Sequence, residues 1–205
     1  MNIKVKRNEG RNKMKKNRCK WVTKEPVYIK YHDEEWGNFN QFKNDQYLFE
    51  MLTLEGAQAG LSWITILKRR EHYRKAFAQF DPIKVSEFGH REINTLLQNE
   101  GIIRNKRKIE STINNAKAFL QVQSKFGSFH TYLIELFNRK LPIVNNWDSG
   151  EEVPAQTGES VMLSKNLRKR GFTFVGPVIC YSFMQAVGLV NDHTKDCWLY
   201  KGDKG

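Results

Sequence analysis

Two Cys–His pairs, one glutamate in an apolar stretch and a crowd of aromatic rings are the side chains of this sequence best suited to chemistry. Cys19 and His32 lie near the start, separated by twelve residues; His193 and Cys197 lie near the end, separated by three. A His and a Cys at i and i+4 share one helical face and can grip a metal ion from one side. Two cysteines and two histidines complete a tetrahedral structural Zn²⁺ site. Such a clip would tie the N-terminal aromatic segment to the end of the last core helix. His-x3-Cys alone is a weak pattern, and spacing does not match it to the distant pair.

Glu55 follows Met51 at i+4 and Leu52 at i+3, so it sits near an apolar helical face. Desolvating a carboxylate is expensive, so a buried one needs a reason. Gly56, Ala57, Ala59 and Gly60 leave space beside it for a flat ligand whose N–H groups Glu55 would accept. Trp63, one turn beyond the break, would form a wall. Two plainer readings stay open: Glu55 caps the helix that Ser62 opens, or it faces solvent. Trp21, Tyr28, Tyr31 and Trp36 form the third constellation. Rings of this kind stack on nucleic-acid bases, and they also fill ordinary cores.

The elements that must position these groups are organised around residues 164–197. Leu163, Leu167, Lys165, Arg168, Lys169 and Arg170 read as a short amphipathic helix, ended by Gly171. Phe172 to Val175 cross a tight hairpin, Gly176 permits an unusual backbone conformation, and Pro177 opens a helix apolar on most sides. A helix of that kind is buried and central. Its N-terminal N–H groups beside cationic side chains suit a phosphate. Candidate phosphate contacts are Lys169, Gly171, Phe172, Thr173, Val175 and Gly176. Upstream, the pattern predicts helices over 44–60 (capped by Asn44 or Asp45), 63–77, 82–99, 104–120 and 129–137. Residues 19–40 read as irregular and 140–160 as a polar connector. Glu100 to Ile109 read as a second helix-turn-helix with a basic arm. No strand pattern is sustained, so the class is all-α.

Composition sets the outer bounds. The chain has 205 residues, 40% of them hydrophobic, enough for one core. Net charge is +12, of which residues 1–20 supply +8 through nine Lys or Arg against one Glu. The expected organisation is a disordered basic tail over 1–18, one helical domain over 19–199 and a C-terminal tail over 200–205. No apolar run is long enough to span a membrane, and no apolar segment follows the basic start. A cytoplasmic protein with reduced thiols is the expectation. Cys180, inside the apolar helix, reads as a small filler.

Taken in order, several motifs carry a resemblance. They are Cys-x-Trp-Val at 19–22, Tyr-Ile-x-Tyr-His-Asp at 28–33, Glu-Trp-Gly at 35–37 and Leu-Glu-Gly-Ala-Gln-Ala-Gly-Leu-Ser-Trp-Ile-Thr at 54–65. Gly-Ile-Ile-Arg at 101–104 and Gly-Phe-Thr-Phe-Val-Gly-Pro at 171–177 follow, then Cys-Tyr-Ser-Phe-Met-Gln-Ala and Gly-Leu-Val-Asn-Asp-His up to 193. From about 19 to 197 the chain resembles the 3-methyladenine DNA glycosylase I family of the helix-hairpin-helix glycosylase superfamily. The resemblance implies zinc at Cys19, His32, His193 and Cys197. It implies that Glu55 reads the excised base, that Tyr28, Tyr31 and Trp63 form its pocket, and that Trp21 and Trp36 line the surroundings. The implied partners are double-stranded alkylated DNA and free 3-methyladenine as product; a bacterial, monomeric enzyme is expected. Relatives with a lyase step carry a lysine where this chain has Val178, so none is expected here. Many relatives carry a catalytic aspartate where this chain has Asn191; Asp192 is one position off and is not assigned that role. The competing reading is a zinc-stabilised DNA-binding module without catalysis, and excision of 3-methylguanine as well stays open.

Overall fold

The computed structural model describes residues 16–138 and 140–202. Most of the expected tail, residues 1–15, and the last three residues lie outside them. Residues 16–18, read as part of that tail, are fastened to the body. Asn17 Nδ2 donates to Asp196 O at 2.8 Å, and Arg18 forks onto both oxygens of Asp33 at 2.7 and 2.6 Å. At the other end Tyr200 is buried and its hydroxyl donates to Asn146.

The centre of the molecule is α2 (Asp45–Gln58), every residue of which from Tyr47 to Ala57 is buried. Asn44 caps it, accepting from Tyr47 N. Asp45 turns away and accepts instead from the N–H groups of Phe129 and His130, where it caps α8 (Phe129–Phe137) from outside. Before α2 comes α1 (Pro26–Glu34), a helix inside the segment expected to be irregular. Pro26 supplies its preset first position. The burial of Tyr31 and His32 then holds it in place.

The predicted helix over 63–77 is two, α3 (Trp63–Leu67) and α4 (Arg70–Ala76). That over 82–99 is also two, α5 (Pro82–Ser86) and α6 (His90–Gln98), parted at Gly89. α7 (Lys106–Phe126) runs longer than expected and packs against α5, α6, α8 and α2. Thr157 caps α9 (Gly158–Lys169), and Pro177 opens α10 (Pro177–Ala186), which packs against α9 and α2. The fold is mostly helical; two residues on each side, Ile143–Val144 and Val190–Asn191, pair as a short parallel bridge. No helix among the described residues is long and apolar enough to cross a membrane.

Between α9 and α10 the chain makes a tight loop. Gly171, at φ +87°, closes α9 as Phe172 N donates to Leu167 O and Gly171 N to Arg168 O. The second positive φ falls on Phe174, at 53°. Gly176, expected to be the unusual position, is extended at φ −64° and ψ 161°, a conformation open to any residue.

Candidate active site

α2 carries two buried carboxylates with opposite surroundings. Glu50 accepts from Arg70 Nε at 2.5 Å and from Arg74 at 2.9 Å, so its charge is matched. Glu55 is 4% exposed and makes no hydrogen bond among the described residues. Burial alone pushes its carboxyl up to about 8. Five positions along α2, about one and a half turns, therefore separate a neutralised carboxylate from one kept bare.

Glu55 opens into a cavity of about 310 Å³. Trp21, Tyr28, Tyr31, Trp36 and Trp63 all line it, so the structure brings together every aromatic residue singled out from the sequence. α1 supplies the two tyrosines, and α3 supplies Trp63 after the break at Gly60, which adopts φ +77°. The rings brace one another edge to face: Trp21 with Tyr28 at 5.2 Å and Trp21 with Trp36 at 5.0 Å between centroids. Tyr31 and Trp63 sit 5.4 Å apart. Burial, with Glu55 nearby, raises the phenols of Tyr28 and Tyr31. The Trp63 indole N–H is buried and has no acceptor among the described residues. The recess thus offers ring faces and a bare acceptor in Glu55.

Sequence reasoning missed part of the lining. Gln58, Ser182, Gln185 and Asp192 also border the cavity, and Gly150 and Val153 bring the polar connector to its rim. Asp192 is 1% exposed and accepts from Tyr181, Gln185, Trp147 and Asn145, all within 2.7 Å. It pins the connector onto α10. Its neighbour in sequence, Asn191, is buried and donates to Gly37 O. The alternation of charged and small residues in 140–160 carried no signal of these roles.

The four expected metal ligands converge. Cys19, His32, His193 and Cys197 are all buried, with their ligand atoms within 4.8 Å of one another, so the group could hold a metal ion. Cys19 Sγ and Cys197 Sγ each lie 3.5 Å from His193 Nδ1, and Cys197 Sγ lies 3.5 Å from His32 Nε2. Zinc–sulfur and zinc–nitrogen bonds meeting at a tetrahedral angle would hold S and N about 3.6 Å apart. The outward nitrogens are also spoken for: His32 Nδ1 meets Asp33 at 2.8 Å and His193 Nε2 meets Trp36 O at 3.1 Å. Each imidazole thus has its N–H turned outward and its lone pair turned inward. Of the two facing thiols, Cys197 is pulled down by the hydrogen bond from Cys19, aided by His193 and His32, and Cys19 is pushed up by the same pairing. The cluster adjoins the cavity directly. Trp36 stands 4.7 Å from His193, Trp21 stands 5.4 Å from His32, and Cys19 itself reaches the lining.

The phosphate candidates occupy the loop between α9 and α10. Lys169, Gly171 and Thr173 are exposed, whereas the side chains of Phe172 and Val175 are buried and present only backbone. Gly176 is half-buried at the head of α10, and Val178, just beyond it, is 52% exposed. In the second basic arm Lys108 turns inward, and Nζ donates to Ala57 O and Ala59 O.

A ring-walled recess with one bare carboxylate, framed by helices, suits a planar ligand whose edge donates N–H groups. A model of the methyladenine glycosylase family matches residues 21–200, and the chain belongs to that family. It is 49% identical over 187 residues to DNA-3-methyladenine glycosylase 1 of Escherichia coli K12, covering 91% of this chain and 98% of that one. It is 48% identical over 180 residues to the DNA-3-methyladenine glycosylase of Haemophilus influenzae, covering 88% and 96%. Among solved structures, a variant of 3-methyladenine DNA glycosylase I in complex with 3-methyladenine superposes with a TM-score of 0.85 at 36% identity, over 91% of this chain and 98% of that one.

Proposed function

We propose that this protein is a DNA repair glycosylase that hydrolyses the N-glycosidic bond of 3-methyladenine in alkylated DNA. The observation that carries the reading is Glu55, bare and buried in a recess walled by aromatic rings, on the same helix as a Glu50 that Arg70 and Arg74 neutralise. The family and the relatives named above support it.

Methylation at N3 leaves the adenine cationic in DNA, so its glycosidic bond is already weak and the base departs neutral. The nucleotide flips out of the duplex into the recess. Tyr28, Tyr31 and Trp63 take the ring faces and Glu55 accepts hydrogen bonds from the base edge. A cationic base favours the ionised form of Glu55, which burial otherwise disfavours. Recognition and charge stabilisation thus come from the same side chain, and water attacks the sugar carbon as the bond breaks. Among the described residues no lysine lines the cavity, and Val178 stands at the start of α10 where relatives with a lyase step carry a lysine, so the strand is left uncut. The loop 171–176 and the head of α10 act as a helix-hairpin-helix grip on duplex phosphates, with Lys169 adding charge. The Cys19, His32, His193 and Cys197 group holds a structural Zn²⁺, which fixes the segment bearing Trp21 and Trp36 against the pocket.

The test is base release from methylated duplex DNA, resolved by chromatography. Release of 3-methyladenine without 7-methylguanine, from an uncut strand, is expected; Glu55→Ala should abolish it while leaving fold and metal content intact. A folded, metal-loaded protein that releases no base would instead be a DNA-binding module. Release of 3-methylguanine would widen the specificity.

A further inference from the structure

α7 fastens both elements that the proposed function places against DNA. Lys108 and Asn115 lie on it seven positions apart, about two helical turns. Lys108 Nζ donates to Ala57 O at 2.8 Å and to Ala59 O at 2.7 Å. Those carbonyls belong to the C-terminal end of α2, where helix carbonyls lack partners and negative partial charge collects. From that point the chain runs through Gly60 and Leu61 into Trp63. This short loop edges a second recess of about 160 Å³ that it shares with Glu55, Gln58 and Val178.

Two turns along, Asn115 holds the other element. Its Oδ1 accepts from Thr173 N at 2.8 Å and its Nδ2 donates to Thr173 O at 2.9 Å. One amide side chain thus matches both backbone groups of a loop residue, as a neighbouring strand would. Asn114 adds a bond from Nδ2 to Gly171 O at 2.7 Å. The same loop closes on α2, where a Cβ at Gly56 would stand 3.5 Å from Phe174 Cβ. Loop 171–176, the helix bearing Glu55, and α7 therefore brace one another in a triangle.

We propose that α7 is a strut that sets the separation between the phosphate grip and the base pocket, with Lys108 and Asn115 as positioning residues for the flipped nucleotide. The proposal rests on the glycosylase reading. A nucleotide in transit is tethered by its own phosphates, so grip and pocket must keep a fixed distance while the base moves between stack and recess. Lys108 is suited to hold a loop without being needed for the fold. It is half-buried, and of the two residues whose carbonyls it serves Ala57 is buried and Ala59 half-buried, at the C-terminal end of α2.

The experiment compares single-turnover excision from methylated duplex DNA with binding of free 3-methyladenine, followed by tryptophan fluorescence. Lys108→Met should slow excision about ten- to a hundredfold, the cost of a small misplacement remote from the reacting atoms, with affinity for the free base unchanged. Lys108→Arg, which can also donate to both carbonyls, should recover most of the rate. Asn115→Asp sets a carboxylate against Thr173 O and should slow excision in the same way, and the two losses should not multiply in the double variant. Wild-type excision by Lys108→Met would overturn the strut, as would a loss of free-base affinity in step with the rate, since the pocket itself would then have collapsed. Absence of release by the wild-type protein would overturn the glycosylase reading first and the strut with it.

Discussion

Replacing Glu55 with Gln should inactivate the protein and stabilise it, and the stabilisation should grow with pH. The carboxyl rises from its ordinary 4.5 to about 8 on burial. A raised acid binds its proton more tightly folded than unfolded. Between those two values the native state therefore holds a proton that the unfolded state has released, and stability falls as pH rises. Glu55→Gln carries no such proton and keeps the shape. Working the linkage between pH 6 and pH 9 gives about 2.5 kcal/mol of additional advantage for the variant at the higher pH. Other titrating groups are common to both proteins and cancel in the difference. The assay is urea unfolding of both proteins at pH 6, 7, 8 and 9, with excision measured alongside. A stability difference that stays flat across that range would refute the claim that Glu55 is bare and desolvated. Normal excision by the variant would refute its role in reading the base.

Other perturbations follow from the same geometry. Asp33→Asn should weaken binding of the proposed zinc about ten- to a hundredfold, because it loosens the partner that orients His32, and a metal-competition titration reads it directly. Stripping the proposed zinc with a chelator should lower the melting temperature and shift tryptophan emission, since Trp21 and Trp36 pack on the imidazoles of His32 and His193. Gly188→Ala should leave little folded protein in a thermal melt: Gly188 sits at φ +74° and a Cβ there would collide with the Asn38 backbone. Arg70→Met should cost about 3 kcal/mol in chemical denaturation, because it removes a buried partner of Glu50 and Glu35 together.

Those elements whose order comes from local chemistry were legible in the sequence. α2 shows its Asn44 cap and its apolar run, and α10 shows Pro177 and an apolar surface all round. Glu55 was conspicuous because its neighbours are small or apolar. α1 was not legible, because the residues it buries are Tyr31 and His32, which face a pocket and a Cys–His cluster rather than a periodic hydrocarbon stripe. The connector was opaque for a related reason. Asn145 and Trp147 are placed by hydrogen bonds to Asp192, more than forty positions away, and periodicity records only near neighbours. Lys108 looked like one more charge in a solvated basic arm; only the fold shows that it faces α2. Glycine also misled once, since Gly176 needs no special backbone and Phe174 takes the positive φ instead.

The cluster of Cys19 and His32 with His193 and Cys197 has a consequence for the order of events during synthesis. Trp21, Tyr28, Tyr31 and Trp36 are translated early, yet the groups that hold their segment against the body are among the last to be made. Until Cys197 has left the ribosome, the early aromatic segment is held only by earlier contacts such as Tyr31 against Trp63 and Glu35 on Arg70. A growing chain can assemble α2, α7 and the loop that Asn115 grips while its recess still lacks a side. An abortive product ending before residue 193 would lack half of the cluster and, at the recess, Thr194.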